Sequence, residues 1–217
     1  MRKPSTGVAP EGTPAVFLCS LAALVAAALE CAWTAVAFFA ATVFCLHFFR
    51  DPERPVPTAP GIAVSPADGK VVKVARMPDP FTAEPRLCVC IFMNVFNVHV
   101  NRSPVAGKVV DTAYHAGKFF NASLDKASTD NERCAYALED EDGKRWSMVQ
   151  IAGLVARRIV CRAEPGDTLR RGERIGMIKF GSRVDVYLPD GLQPAVVVGQ
   201  KVTAGVSMIA APQSPTR

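Results

Sequence analysis

The sequence predicts a mostly-β domain, a small sandwich or barrel, set behind an N-terminal membrane segment of helical character. Three observations carry that class. Residues 15–49 hold a single formally charged side chain, Glu30, in a run of Ala, Val, Leu and Phe. After residue 61 the chain breaks into short Val- and Ile-rich runs bounded by Gly, Pro and Asp, the spacing of strands joined by tight turns. Within "KFGSRVDVYLP" the alternation is strict, with Val184, Val186 and Leu188 on one side and Asp185 and Tyr187 on the other. Ser182 falls on the apolar side, directly after Gly181, and a small hydroxyl there needs a reason.

In chain order, residues 1–14 are polar, contain Pro4, Pro10 and Pro14, and read as disordered. As one helix, residues 15–49 would be ~52 Å long, well beyond a hydrocarbon core of ~30 Å. The segment therefore divides into Ala15–Leu29 and Cys31–Phe49, a helical hairpin turning near Glu30, with a single tilted span as the other arrangement. Arg2 and Lys3 precede it and Arg50 and Arg54 follow it, which favours both ends on the cytoplasmic side of the inner membrane. "RDPERPVPTAPG" (50–61) is a Pro-rich extended linker. Residues 62–217 form the β domain, with "NASLDKASTDNER" (121–133) as its longest polar insert.

The net charge of +5 is modest, and no basic block is interleaved with aromatics, so nucleic acid is not indicated. Beside a membrane segment, the same excess suits an anionic lipid surface. Of seven cysteines, Cys19, Cys31 and Cys45 lie in the apolar segment, Cys88 and Cys90 share a strand face, and Cys134 and Cys161 stand alone. An odd count without paired spacing argues for reduced thiols. No zinc-type ligand spacing accompanies Cys88 and Cys90, so no metal is expected.

Only three histidines are present. His47 closes the apolar segment, where the water interface accounts for it. His99, in "MNVFNVHVNRSPVAG", shares strand parity with Asn97 and Asn101, a polar face. His115 lies beside a turn in "YHAGKFF". Asp68 in "SPADGKVV" is an ordinary turn aspartate by itself. Together, Asp68, His99 and Ser182 are the residue types of a nucleophilic triad, although spacing alone does not show that they meet.

Two resemblances go further. "EPGDTLRRGERIGMIKFGSRVDVYLP" resembles half of a biotinyl/lipoyl carrier domain, a likeness of fold that gives no activity. Where a carrier hairpin presents a modifiable lysine, this one presents Gly181-Ser182. More specifically, "FFRDPERPVP", "SPADGKVV", "MNVFNVHVNRSPVAG", "GKFFNASLDKASTDNER", "VQIAGLVARRIVC" and "GMIKFGSRVDVYLP", in this order, resemble the short bacterial form of the phosphatidylserine decarboxylase proenzymes.

That resemblance implies a pyruvoyl cofactor made from Ser182 by self-cleavage of the Gly181–Ser182 bond, giving a β chain of residues 1–181 and an α chain of residues 182–217 that stay together as a heterodimer. Higher oligomers are compatible with it. It implies His99 as general base and acid, Asp68 as the residue orienting it, and a Schiff base with the amine of phosphatidylserine as the route to phosphatidylethanolamine and carbon dioxide. A glycine before the serine is expected because a side chain there would obstruct the attack. This chain departs from long-form relatives in carrying Phe96 where they have a second histidine, and Arg183 where they have threonine. That leaves His99 or His115 as proton donor, and Arg183 and His115 as candidate substrate contacts. Arg183 is equally a strand-surface charge, and Lys118, Lys126 and Arg133 near the polar insert read the same way. The rival readings are a decarboxylase of another serine-headed lipid, and a membrane-tethered lipoyl-like binding module whose serine is never processed.

Overall fold

The structure, a computed structural model, describes residues 7–117, 130–153, 158–179 and 181–213. They fall into two compact units, one ending at Glu53 and one beginning at Arg54.

In the first unit, helices α1 (Thr13–Ala28) and α2 (Ala32–Phe48) pack on each other. The break between them holds Glu30 at φ +60°, a left-handed conformation that ends α1 where the charge interrupts the apolar run. Neither helix has a polar face. Phe17, Leu18, Leu24, Trp33 and Phe39 are all exposed, the surface of a helix made for an apolar surround. The Ser20 and Thr42 hydroxyls donate to the carbonyls of Val16 and Phe38, so neither is left unmet there. One helical stretch, Pro10–Ala28, is long and apolar enough to cross a membrane. Residues 7–14 take part in local contacts, although the sequence reads as polar and Pro-rich through residue 14. Val8 bridges Arg50, the Ala9 amide donates to the Phe49 carbonyl at 2.7 Å, and Pro10–Gly12 forms a 3-10 turn. Residues 1–6 lie outside the described residues.

The second unit is mostly strand: β1 (Ala63–Val64), β2 (Gly69–Pro78), β3 (Pro85–Met93), β4 (Val100–Arg102), β5 (Gly107–His115), β6 (Arg133–Asp140), β7 (Arg145–Ala152), β8 (Ile159–Cys161), β9 (Thr168–Leu169), β10 (Arg174–Ile178), β11 (Ser182–Tyr187), β12 (Leu192–Pro194), β13 (Lys201–Val202) and β14 (Met208–Pro212). An eight-stranded antiparallel sheet has the order β13-β2-β3-β11-β7-β6-β5-β9. Two three-stranded sheets, β4-β10-β8 and β1-β14-β12, accompany it. One face of the large sheet carries the main core, including Val89, Ile91, Met148, Val184 and Val186. Its other face holds a smaller cluster of Cys88, Cys90, Ala135, Val149, Ile151 and Tyr187. β11 is therefore buried on both sides, which the alternation alone did not require.

Three expectations are corrected here. β10 and β11 do not form a hairpin, because they belong to different sheets. The latter part of the Pro-rich linker is extended but bound: the Arg171 guanidinium donates to the Pro57 and Ala59 carbonyls, and Gly172 leaves room for Val56. Finally, Cys134 and Cys161 are paired as a disulfide, with Cα atoms 6.8 Å apart, against the expectation that all thiols are free. β6 and β8 bring these positions together across 27 residues, a proximity that sequence spacing does not reveal.

Candidate active site

The site grows from a crossing between two sheets. β3 and β11 pair in the large sheet, with Met93 opposite Ser182. β4 and β10 pair in the small one, with Val100 opposite Met177. The stretch from Met93 to Val100 thus joins the large sheet to the small one, with β11 paired at its first end and β10 at its last. His99 lies on this stretch, and its carbonyl accepts the Ile178 amide of β10. Topology thereby puts His99 and Ser182 on neighbouring segments although 82 positions separate their numbers. Both are fully buried.

Ser182 faces the main core between Met93 and Ala152. Its Oγ is buried and has no hydrogen-bond partner among the described residues. An unmet buried hydroxyl costs about 1–3 kcal/mol, so it calls for explanation. Gly181 precedes it at φ +57°. A Cβ built there would meet nothing within 4 Å outside its chain neighbours, so in the resting fold the left-handed backbone is what favours glycine.

His99 is oriented by its own turn. Its Nδ1 lies 2.9 Å from the Asn97 carbonyl. A carbonyl only accepts, so in the neutral ring Nδ1 carries the hydrogen and Nε2 keeps the basic lone pair. The turn is closed by the Asn97 amide donating to the Asn94 carbonyl at 3.0 Å and the Asn94 amide donating to Asn97 Oδ1 at 2.9 Å. Asp68 faces elsewhere. Its Oδ2 accepts from Arg54 at 2.9 Å and its Oδ1 from the Ala204 amide at 2.7 Å, so both oxygens serve the linker and the chain beyond β13. His99 Nδ1 is thus met by the Asn97 carbonyl, and the Asp68 oxygens by Arg54 and the Ala204 amide. Gly69 follows Asp68 because β2 runs so close to β3 that a Cβ there would fall 2.2 Å from the Phe92 carbonyl.

Arg183 is neither a surface charge nor an open anion trap. It is buried on the opposite face, where Nε and an NH2 group each donate at 2.8 Å to the two oxygens of Asp185. Burial pushes the Asp185 carboxyl up, against the lowering effect of Arg183. A guanidinium already balanced by a carboxylate is a poor attractor for an anionic substrate. Cys88, Cys90 and Asp185 converge with possible ligand atoms within 4.8 Å of one another. Burial raises the Cys88 thiol well above its usual range, and Arg183 occupies the carboxylate, a setting that disfavours a cation. His115 ends β5, exposed and opposite Arg133. Lys118 and Lys126 lie outside the described residues.

Several supporting residues were not singled out from sequence. Asn131 is fully buried and donates to the Ala152 carbonyl at 2.7 Å, holding the strand next to Ser182. Glu132 Oε1 accepts the Tyr114 hydroxyl and the Ile159 amide. A buried chain runs from the Tyr136 hydroxyl to Gln150 and from Gln150 to Asn101, whose amide faces the Met93 sulfur. The shared parity of Asn97, His99 and Asn101 was the available signal for part of this. Nothing local marks Gln150 or Asn131.

Comparison with known proteins agrees with the resemblance in the motifs. The profile of the family described as phosphatidylserine decarboxylase matches residues 41–210. Phosphatidylserine decarboxylase proenzymes of Oleidesulfovibrio alaskensis and Nitratidesulfovibrio vulgaris are 66% and 63% identical to this chain, in each case over 97% of it and 97% of the relative. That of Solidesulfovibrio magneticus is 59% identical over 97% of this chain and 98% of its own.

Proposed function

The chain belongs to the phosphatidylserine decarboxylase family, and from that premise we propose that it is a self-processing decarboxylase turning phosphatidylserine into phosphatidylethanolamine and carbon dioxide. The observation that carries the self-processing is the buried Ser182 hydroxyl, unmet by any described partner and set behind a left-handed Gly181.

In this reading the lone pair on His99 Nε2 takes the Ser182 hydroxyl proton as Oγ bonds to the Gly181 carbonyl carbon. The Gly181–Ser182 C–N bond then breaks, the proton passes to the leaving nitrogen, and an ester joins the two halves. Removal of the Ser182 Cα proton expels the Gly181 carboxylate from Cβ and leaves dehydroalanine. Water adds and ammonia departs, so residues 182–217 begin with a pyruvoyl group. Full burial of Ser182 favours this internal attack over attack by solvent.

The residues present fit such a group, since it forms from Ser182 itself between Met93 and Ala152 and needs no separate binding site. Once formed, it supplies a carbonyl that condenses with the substrate amine and draws electrons as carbon dioxide leaves. His99, held by Asn97, would then return a proton to the substrate carbon. Asp68 would act at one remove, tying Arg54 and the Ala204 amide beside the strand that follows the "PADG" turn. The α and β chains would remain one body, because β11 sits between β3 and β7 and the cut frees only its first end. The apolar helices would hold the domain at the inner membrane on the cytoplasmic side. Family membership argues against the unprocessed binding module.

Intact mass after expression tests the reading. Two chains are expected, residues 1–181 and 182–217, the second blocked at its N-terminus as a ketone. Ser182→Ala should give only the full-length chain, and His99→Gln should cut far more slowly. An uncut wild-type chain that nevertheless decarboxylates phosphatidylserine would overturn the mechanism.

A further inference from the structure

The two ends of the large sheet differ in charge. At the Ser182 end the register sets one row across seven strands: Lys201, Lys70, Phe92, Arg183, Ile151, Arg133 and His115. Lys70, Lys201 and His115 in that row are exposed, as is Arg158, whose carbonyl accepts the Lys179 amide. Among the described residues few acids oppose them. Asp68 is paired with Arg54, Glu132 is buried against Tyr114 and Ile159, and Asp130 is exposed. The opposite end gathers Asp79, Glu84, Glu139, Asp140, Glu141 and Asp142 beside Arg86, Lys144 and Arg145, so acids and bases are mixed there.

The Ser182 end also projects an aromatic. Phe96 is 65% exposed on the turn between Met93, the cross-strand neighbour of Ser182, and His99. The turn is stiff, because Asn94 Oδ1 accepts the Phe96 amide and the Asn94–Asn97 bonds close it. An exposed aromatic on a rigid turn, within a basic rim, is the pattern of a side chain that enters a lipid interface while lysines face the head groups.

We propose that the Ser182 end of the sheet docks on an anionic bilayer surface, with Phe96 entering the interface and Lys70, Lys201 and Arg158 facing lipid phosphates. This rests on the reading of the chain as a lipid decarboxylase and goes beyond it. The helices of the first unit keep the chain at a membrane, whereas this rim sets which end of the catalytic domain meets it. The turn that carries Phe96 also carries the Asn97 carbonyl on His99, so membrane contact and the catalytic base share one rigid loop.

The test uses the full chain with Phe96→Trp in a Trp33→Phe background, Trp146 remaining as a buried constant. The protein is reconstituted in phosphatidylcholine vesicles with and without phosphatidylglycerol, using lipids brominated on the acyl chains. Emission from position 96 should shift to the blue and be quenched when phosphatidylglycerol is present, and both effects should weaken with salt. Lys70→Gln and Lys201→Gln should each lower the docked-to-undocked ratio about fivefold. A water-like, unquenched emission in anionic vesicles, while Trp33 of the parent chain is quenched, overturns the proposal. So does a shielded but unquenched signal, which would mean that protein covers this face. The readout needs no turnover: quenching in a chain that never cuts would sink the decarboxylase reading alone, and a cut, active chain without quenching would sink the docking alone.

Discussion

Ser182 and Arg183 are consecutive residues of β11, equally shielded from solvent, and opposite in how their polar atoms are met. Arg183 points to the smaller cluster and gives two 2.8 Å bonds to Asp185, two positions along the same strand face. Ser182 points to the main core, and its hydroxyl finds no partner among the described residues. Folding tolerates a buried charge when geometry satisfies it at once. A buried group left unmet calls for another reason, and the proposed self-cleavage supplies one. The stronger electrostatic feature is thus structural, and the weaker, unsatisfied one is the candidate for reactivity.

The sharpest way to break this comparison is to remove one member of the pair. Asp185→Ala should cost about 3–5 kcal/mol in chemical denaturation, because it removes the buried counter-charge of Arg183. Arg183→Met combined with Asp185→Leu should recover most of that loss. A single variant that costs under ~1 kcal/mol would place the pair among exposed ion pairs. Acid is not expected to weaken this pair first. Burial lifts the Asp185 carboxyl above its unfolded value, so this group subtracts stability as pH rises from the unfolded value through the folded one, and adds none that acid could remove.

Next in size is Gly181→Ala. The left-handed φ should cost about 1–2 kcal/mol, with self-cleavage slowed, although a Cβ meets nothing outside its chain neighbours. Gly69→Ala is the control, because its Cβ would fall 2.2 Å from the Phe92 carbonyl and must displace β2 from β3. Comparable losses in the two variants would mean that crowding also governs Gly181.

Much of this contrast was legible in the sequence, and the missing part has a physical cause. The alternation of Ser182, Val184 and Val186 against Asp185 and Tyr187 is a local property of one strand, and it gave the facing of β11 correctly. The break near Glu30 was legible for the same reason, as a charge inside an apolar run. What one strand does not reveal is what lies across from it. Arg183 read as a surface charge or a substrate contact because alternation does not say whether the second face is covered, whereas that face is buried as well. Asn97 as the partner of His99, Asp68 as the partner of Arg54, and the Cys134–Cys161 pairing all depend on turns and crossings set by tertiary structure. The loss of the expected β10–β11 hairpin belongs with them, since strong strand signals on both sides of a glycine do not say which sheet each strand joins.

Asp79 extends the comparison to a carboxylate met mainly by neutral groups. Burial would push it up, yet bonds from Ser147, the Phe81 and Thr82 amides and Arg86 outweigh that and hold it below its ordinary value. Its folded value is depressed, so its contribution is present above the unfolded carboxylate range and is lost as pH falls through the folded one. Asp79→Asn should therefore lower stability by about 1 kcal/mol at neutral pH, and the gap to the parent should close as the unfolding titration is taken into acid. A gap that stays constant with pH would show that the loss is not electrostatic.

The smallest expected effect is the most discriminating. Ser182→Ala removes an atom with no described hydrogen bond, and alanine fits where serine was, so neither a lost bond nor a cavity penalises the change. Unfolding should show the Ser182→Ala chain to be no less stable than the parent proenzyme caught before cleavage. Only uncut chains can be compared, since cleavage itself changes the unfolded state. If Ser182→Ala instead proved clearly less stable, the hydroxyl would be holding a partner, and the contrast with Arg183 would be one of strength rather than kind. Equal stability together with complete loss of cleavage would assign Ser182 to chemistry and Arg183 to the fold, although one peptide bond joins them.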